Sequence, residues 1–172
     1  MNNNIVVREA LDNEHKALGE LMARVYANLE GFPKPEAQPG YYEMLRNVGC
    51  FTEKPGVKLL VALRGEKLLG GLVHFADLAH YGAAGKVTSE KNASGFRLLA
   101  VDPAARGLGL GRLLMEKSIE LAREAGHGQV IIHTTESMPV AWAMYAKRGF
   151  QRSEDLDIVQ NNYQVYGFRL AL

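Results

Sequence analysis

One stretch of the sequence, residues 96–125, constrains the fold more than any other. A short apolar run ends at Asp102-Pro103, and a leucine-rich segment with helical spacing follows a few residues later. The turn between them contains Gly107, Gly109 and Gly111. A strand that enters a helix through such a turn leaves backbone N–H groups unpaired at the positive end of the helix dipole, and glycine lets an anion approach them closely. The stretch therefore predicts a strand, an anion-binding turn and a helix.

Two widespread phosphate-binding turns do not fit these residues. A Walker A loop requires Gly-Lys-Ser/Thr, whereas Gly111 is followed by Arg112 and Leu113. A Rossmann fingerprint requires a third glycine three residues after the second, and the two possible starting points place Arg112 or Leu114 there. The sequence therefore argues against a P-loop nucleotide site and against a dinucleotide site.

The remaining pattern, Arg106-x-x-Gly109-x-Gly111 after a strand that ends in Val-Asp-Pro, resembles motif A of the GNAT superfamily of acyl-CoA-dependent N-acetyltransferases. The resemblance implies that the turn holds the pyrophosphate of coenzyme A and that free backbone groups of the preceding strand pair with the pantetheine arm. One of those backbone groups is expected to polarise the thioester carbonyl. The implied cofactor-binding residues are Leu99, Ala100, Val101, Arg106, Gly107, Leu108, Gly109, Leu110, Gly111 and Arg112.

A second segment, residues 145–150, resembles the Tyr-x-x-x-Gly-Phe signature of the same family and lies about 40 residues after motif A. The resemblance implies that the hydroxyl of Tyr145 protonates the departing thiolate of coenzyme A. A phenol with a pKa near 10 is protonated at neutral pH and can supply that proton. Tyr145 is therefore the predicted general acid.

Two positions depart from the family pattern. Met138 stands where many members carry an asparagine at the start of the helix that bears the tyrosine, and Gly95 stands where some members carry a catalytic carboxylate. An amine with a pKa near 10 must still lose a proton before it attacks. We name His133 as the candidate catalytic base, and the alternatives are His74, Asp77, Glu136 or a chain of water molecules.

Composition limits the other classes of function. The 172 residues suit a single domain, here 1–172, and the formal net charge of +1 gives no reason to expect nucleic acid or an anionic membrane as a partner. A lone cysteine, Cys50, excludes an internal disulfide. The histidines lack metal-ligand spacing, so no metal is expected. Without a leader-like start or a long apolar run, the chain is expected to be cytoplasmic.

The order of apolar runs and turn signals predicts the architecture β-α-α-β-β-β-α-β-α-β-β. This order mixes hairpins with helical crossovers, which indicates a mixed sheet with helices on both faces. It is also similar to the whole GNAT fold, so we expect an α/β (α+β) domain with a mostly antiparallel central sheet of about seven strands. Residues 79–95 are predicted to form a long loop, and the chain after Gly149 is predicted to form two closing strands, residues 150–157 and 163–172.

The resemblance implies an enzyme that moves the acetyl group of acetyl-CoA, its acyl-donor co-substrate, directly to a primary amine of a small molecule or peptide. The alternative is a non-catalytic module that binds acyl-CoA as a sensor or regulator, and a homodimer is left open. The acceptor pocket is expected between three segments, residues 31–40, 79–95 and 156–162. The candidate apolar walls of that pocket are Phe32, Tyr41, Tyr42 and Tyr81, and the candidate anchors for an ammonium group are Glu36, Asp77, Asp155 and Asp157.

Overall fold

The computed structural model describes residues 4–83, 85–160 and 162–172. Its strands are β1 (Ile5–Glu9), β2 (Val57–Arg64), β3 (Lys67–Phe75), β4 (Ala93–Val101), β5 (Gln129–Thr134), β6 (Gln151–Arg152), β7 (Ile158–Gln160) and β8 (Tyr163–Ala171). Its α-helices are α1 (His15–Ala27), α2 (Pro39–Arg46), α3 (Leu110–Glu124) and α4 (Pro139–Arg148). Ala84 and Asn161, which fall in two of the predicted acceptor segments, lie outside the described residues.

Within the described residues, the eight strands form one sheet in the order β1-β2-β3-β4-β5-β8-β6, with β7 added along β8. Only the pairing of β4 with β5 is parallel, and the other pairings are antiparallel. Helices α1 and α2 pack their apolar residues on one face of the sheet, while α3 and α4 pack theirs on the other. The predicted mixed, mostly antiparallel sheet with helices on both faces is therefore confirmed.

The predicted long loop at residues 79–95 is shorter than expected, because β4 already begins at Ala93. The small residues at this end of β4 fill a tight space between its neighbours. A Cβ atom placed on Gly95 would lie 2.6 Å from the carbonyl oxygen of Ile131 in β5. Small side chains here therefore allow close strand packing, although their composition resembles that of a loop.

The predicted closing strand at residues 150–157 is also wrong. The chain forms only the short β6, then a 3₁₀ turn at Glu154–Leu156, and then β7. The turn lies over β8, where a Cβ atom on Gly167 would come within 2.3 Å of Leu156. Near the other end of the chain, Asp12 begins a separate 3₁₀ turn, and α1 begins at His15.

The two central strands diverge, and this divergence positions the candidate site. Strands β4 and β5 pair over three residues each, Ala93–Gly95 with Gln129–Ile131. Beyond that point β4 stays on β3 and β5 stays on β8. Leu98 adopts a φ of 62°, where the register of β4 against β3 shifts, so a bulge accompanies the divergence. The result is a V-shaped gap in the middle of the sheet.

Candidate active site

The turn before α3 presents a row of unpaired backbone donors. The backbone N–H groups of residues 107–112 donate no hydrogen bond to another backbone group in the described structure, although those of Ala105 and Leu113 on either side do. Gly107 and Gly109 adopt φ values of 85° and 73°, and a Cβ atom on either would meet nothing within 4 Å. The turn is therefore open above a helix N-terminus, which is the arrangement that binds phosphate groups.

Some side chains of the turn fix its conformation, and others are exposed beside the unpaired N–H groups. The carboxylate of Asp102 accepts a hydrogen bond of 2.9 Å from the N–H of Ala104 and lies 3.3 Å from Nη2 of Arg24, which fixes the entry to the turn. Leu110 is buried beneath it. Arg106 and Arg112 are exposed and form no ion pair with the described residues. Both guanidinium groups are therefore available to an anion at the turn.

The predicted backbone groups of β4 lie along the gap. Ala100 and Val101 pair with Gly71 and Gly70 of β3, whereas neither faces a paired residue of β5. The carbonyl oxygen of Leu99 accepts a hydrogen bond of 3.0 Å from the hydroxyl of Tyr26 in α1. The edge of β4 toward β5 thus carries backbone groups that are not engaged in the sheet.

A cavity of about 100 Å³ occupies the gap between β4 and β5. It is walled by the two strands, by α1 and α4, and by the segments around residues 33 and 163. Its lining residues are Tyr26, Phe32, Pro33, Gln38, Tyr41, Phe96, Arg97, Leu98, Leu99, His133, Thr134, Thr135, Met138, Ala141, Tyr145, Gln160, Tyr163 and Val165. Both predicted catalytic residues, Tyr145 and His133, therefore lie on the same cavity.

Tyr145 is held by aromatic packing on α4. Its ring contacts those of Phe96 and Phe150 edge-on, with centroids 5.9 and 5.8 Å away, and the residue is 4% exposed. Burial raises the pKa of Tyr145 above its ordinary value, so the phenol stays protonated at neutral pH. Its hydroxyl makes no hydrogen bond to another described residue, and it is not among the fully buried unpaired polar atoms. The proton therefore remains available to a group in the cavity.

His133 is held differently, because both of its ring nitrogens already have partners. Nε2 lies 2.8 Å from the carbonyl oxygen of Leu156, which can only accept, so Nε2 carries the proton. Nδ1 lies 3.1 Å from the hydroxyl of Tyr81, which is then the donor. Burial lowers the pKa of His133, and the charge of Arg97 acts in the same direction. These contacts favour a neutral, positioning histidine over the predicted catalytic base.

None of the other candidate bases lines the cavity. His74 is buried on the α3 side of the sheet, where Nδ1 lies 2.6 Å from Oγ of Ser118. The carboxylate of Asp77 accepts the N–H of Ala79 at 2.9 Å. Glu136 is exposed and accepts from the hydroxyl of Tyr166 at 3.2 Å. None of these three side chains is therefore placed in the cavity to accept a proton from an amine.

None of the four candidate ammonium anchors lines the cavity. Asp155 forms ion pairs with Arg169 and Lys86, and Asp157 pairs with Arg152. The pKa of Asp155 falls because of its hydrogen bonds with Arg169 and Lys86, so this carboxylate already has cationic partners. Glu36 is exposed, and Asp77 faces its own turn.

Two of the four candidate apolar walls line the cavity. Phe32 and Tyr41 line the cavity and lie side by side, with ring centroids 5.7 Å apart. Tyr42 lies outside the lining and donates its hydroxyl to the carbonyl oxygen of Pro33 at 2.7 Å. Tyr81 is fully buried behind His133.

Sequence reasoning missed Arg97, Tyr26, Thr135 and Tyr163, which all line the cavity. Arg97 carried a usable signal, because it is a charged residue inside an otherwise apolar strand. The other three lie on elements whose approach to the gap is set by tertiary packing.

The two departures from the family pattern have local explanations. Met138 lines the cavity at the start of α4, and its sulfur lies 3.7 Å from Oγ1 of Thr134. Gly95 leaves no room for a carboxylate, since its Cβ position is blocked by β5.

Among the described residues, no cluster of three or more histidine, cysteine, aspartate or glutamate side chains is placed to hold a metal ion. No described helix combines the length and apolar character needed to cross a membrane.

A divergent pair of central strands and an open turn at the head of α3 are the features of an acetyltransferase fold. The family model described as Acetyltransferase (GNAT) family matches residues 22–150, and the chain therefore belongs to the GNAT family.

Curated relatives match only part of this chain. The mycothiol acetyltransferase of Cellulomonas flavigena is 35% identical over 97 residues, which are 55% of this chain and 26% of that protein. The mycothiol acetyltransferase of Catenulispora acidiphila is 33% identical over 92 residues, or 54% of this chain and 27% of that protein. The chain thus matches about a quarter of the length of these relatives.

A solved structure agrees over nearly the whole chain. A GNAT-family acetyltransferase from Staphylococcus aureus Mu50 superposes with a TM-score of 0.75 and 18% identity, covering 98% of this chain and 99% of that one. At 18% identity, this similarity is evidence for a shared fold alone.

Proposed function

We propose that the chain transfers the acetyl group of acetyl-CoA directly to a primary amine of a small molecule or peptide. The observation that carries this proposal is the position of an open row of unpaired N–H groups at residues 107–112 next to the wall of a cavity that Tyr145 lines. A Cβ atom on Gly111 would lie 4.0 Å from Cδ2 of Leu99, which lines the same cavity. Membership of the GNAT family supports the acetyl transfer. One structural neighbour, a putative acetyltransferase from Salmonella typhimurium, is described with its cofactor acetyl-CoA, which supports the choice of donor.

The turn would hold the pyrophosphate through the N–H groups of residues 107–112, with Arg106 and Arg112 at its rim. The free edge of β4 from Leu99 to Val101 would pair with the pantetheine arm and orient the thioester. The bound donor supplies the acetyl group and a thiolate leaving group. Together these contacts would place the thioester in the gap between β4 and β5.

In the transfer itself, the amine nitrogen forms a bond to the acetyl carbon and the carbon–sulfur bond breaks. Tyr145 gives its hydroxyl proton to the departing sulfur and is reprotonated from solvent. The proton lost by the amine passes to water. His133 stabilises the wall of the cavity through its hydrogen bonds with Tyr81 and Leu156. A backbone N–H of the free β4 edge stabilises the developing oxyanion.

The test is a binding titration with acetyl-CoA combined with an assay of thiol release across a panel of primary amines. We expect saturable binding and amine-dependent thiol release with at least one amine. The alternative function, an acyl-CoA sensor, predicts tight binding with no release above the rate without amine. Failure to bind acetyl-CoA at all would contradict both functions.

A further inference from the structure

Building on the proposed function, we infer that the acceptor is an amine that also carries a carboxylate, namely a free amino acid with an apolar side chain, and that Arg97 binds that carboxylate. The cavity is where an acceptor must approach the donor, since Tyr145 lines it. The charges on its walls therefore select among amines. A site for polycationic amines requires carboxylates, and the walls of this cavity carry a cation instead.

The wall of the cavity carries a cation and no carboxylate. Among the lining residues, the ionisable side chains are Arg97, His133 and tyrosines, and no aspartate or glutamate is present. Burial lowers the pKa of His133 and raises that of Tyr145, which leaves both neutral near pH 7. Arg97 therefore gives the cavity a net positive charge. Such a cavity repels a polyamine and attracts an anionic group.

The guanidinium of Arg97 has N–H donors that no described residue accepts. Its Nη1 donates to the carbonyl oxygen of Tyr81 at 2.8 Å, and the guanidinium carbon lies 5.5 Å from the centre of the Tyr81 ring. It forms no ion pair with any carboxylate in the described part of the chain, and its other nitrogens are not among the fully buried unpaired atoms. A guanidinium has five N–H donors in a planar fork that matches a carboxylate. The contact with Tyr81 orients the fork and engages only Nη1, so the N–H donors of the other nitrogens remain for a ligand.

The remaining wall is aromatic, and it favours an apolar side chain. Phe32 lies at its centre, with ring centroids 5.4 Å from Tyr26, 5.7 Å from Tyr41 and 5.6 Å from Tyr163. The hydroxyls of Tyr26 and Tyr163 are engaged by Leu99 and Ser137, so the rings offer mainly apolar surface. The volume of about 100 Å³ is below the roughly 300–1,000 Å³ typical of sites for larger ligands, which favours a small acceptor.

The contact between Arg97 and the carboxylate also helps the chemistry. The carboxylate of an amino acid stabilises the ammonium form of its own amine, and pairing with Arg97 offsets that effect and so favours the neutral nucleophile. Pairing the carboxylate with Arg97 would orient the acceptor so that its amine, rather than its anion, faces the thioester. This role fits a cavity that contains no side-chain base with a free lone pair.

The experiment pairs each common amino acid with its amide, which retains the amine and side chain but lacks the anionic group. Wild type, Arg97→Met, Arg97→Lys and the exposed control Arg123→Met are compared for kcat/KM, and L-leucine and L-leucinamide are titrated into each protein in the presence of CoA. Thermal unfolding and CoA affinity show whether each variant is folded. The peptide Leu-Gly tests whether a peptide N-terminus is accepted instead.

We expect wild type and Arg123→Met to prefer apolar amino acids over their amides by about 10- to 100-fold, the size of a charge-assisted hydrogen-bonded pair. Arg97→Met should reduce this ratio to near 1 while leaving CoA affinity unchanged, and Arg97→Lys should fall between. Equal or better use of the amides or of Leu-Gly by wild type would overturn the inference and leave the proposed acetyl transfer standing. A preference that survives in Arg97→Met would also overturn it. No transfer to any amine, despite tight acetyl-CoA binding, would overturn both proposals.

Discussion

At the scale of single residues, the hydroxyl of Tyr145 is the most direct test of catalysis. Replacing it with phenylalanine removes the proton and keeps the ring packing against Phe96 and Phe150. If Tyr145 protonates the leaving thiolate, single-turnover acetyl transfer should fall by about 10²–10⁴-fold while acetyl-CoA affinity stays the same. Single-turnover measurement is needed because product release can hide a slower chemical step. Equal single-turnover rates in wild type and Tyr145→Phe would remove Tyr145 from the mechanism.

The same assay applied to His133→Gln separates a base from a positioning residue. If His133 is the base, its replacement should lower the single-turnover rate by about 10²–10⁴-fold and remove the acidic limb of the pH–rate profile. The contacts of His133 with Tyr81 and Leu156 instead predict a smaller loss of single-turnover rate and an unchanged acidic limb. A large loss with a vanished limb would restore His133 as the base.

The outcome for these two residues shows what sequence spacing can establish at this scale. Tyr145 and His133 were both expected at the site, and both line the cavity. The sequence could not show that both nitrogens of His133 are occupied, since its partners lie 52 and 23 residues away along the chain. The ammonium group of an amine favours acidic partners, but the four candidate acids lie outside the cavity and the cationic Arg97 lines it.

At the scale of an element, α3 provides a matched test of the turn. Gly109 before the helix and Gly126 after it have φ values of 73° and 76°, and a Cβ atom on either would meet nothing within 4 Å. Valine at either position should therefore impose a similar backbone strain, roughly 1–2 kcal/mol. Only Gly109→Val places a side chain over the unpaired N–H groups of the turn.

Gly109→Val should weaken CoA binding by more than about tenfold, which corresponds to roughly 1.4 kcal/mol, whereas Gly126→Val should bind CoA as wild type does. Calorimetric titration measures the affinities, and thermal unfolding checks that the two variants lose comparable stability. Unchanged CoA affinity in a folded Gly109→Val protein would refute the turn as the pyrophosphate site. A comparable loss of affinity in both variants would trace the effect to general destabilisation.

The elements themselves were predictable where one local signal dominated. Local signals mark helices α3 and α4, namely apolar residues at helical spacing, a glycine after each helix, and Pro139 in the first turn of α4. Composition misled where packing decided the structure. Ala93, Ser94 and Gly95 have the small side chains of a loop but form the parallel segment against β5. The divergence of β4 from β5 depends on pairing with two different partners, which only the tertiary structure determines.

At the scale of the whole molecule, the buried His74 couples stability to pH. It lies on β3 with Nδ1 2.6 Å from Oγ of Ser118 on α3, and it is 2% exposed. Burial, followed by the charges of Lys58 and His127, lowers its pKa from 6.5 to about 4. The charged form is thus disfavoured in the folded state, and folding opposes protonation at this site.

The direction of the effect follows from proton binding in the two states. Above pH 6.5, His74 is neutral in both states and contributes its full stability. As the pH falls from 6.5 to about 4, the unfolded chain binds a proton that the folded protein excludes, so the free energy of unfolding decreases. Below about 4 the loss is complete. A shift of this size corresponds to a loss on the order of 3 kcal/mol.

Denaturant unfolding of wild type and His74→Gln between pH 7 and pH 4 isolates this contribution, because the other titrating groups are common to both proteins. Glutamine can keep a hydrogen bond to Ser118 but cannot titrate, so the variant should show a flatter decrease even if it starts from a lower stability at pH 7. His80→Gln, which removes a half-buried histidine in the same way, serves as the control. Parallel curves for wild type and His74→Gln would show that His74 ionises as freely in the folded protein as in the unfolded chain. In that case the acid sensitivity of the fold would come from other groups, such as the buried His133 and the ion-paired carboxylates.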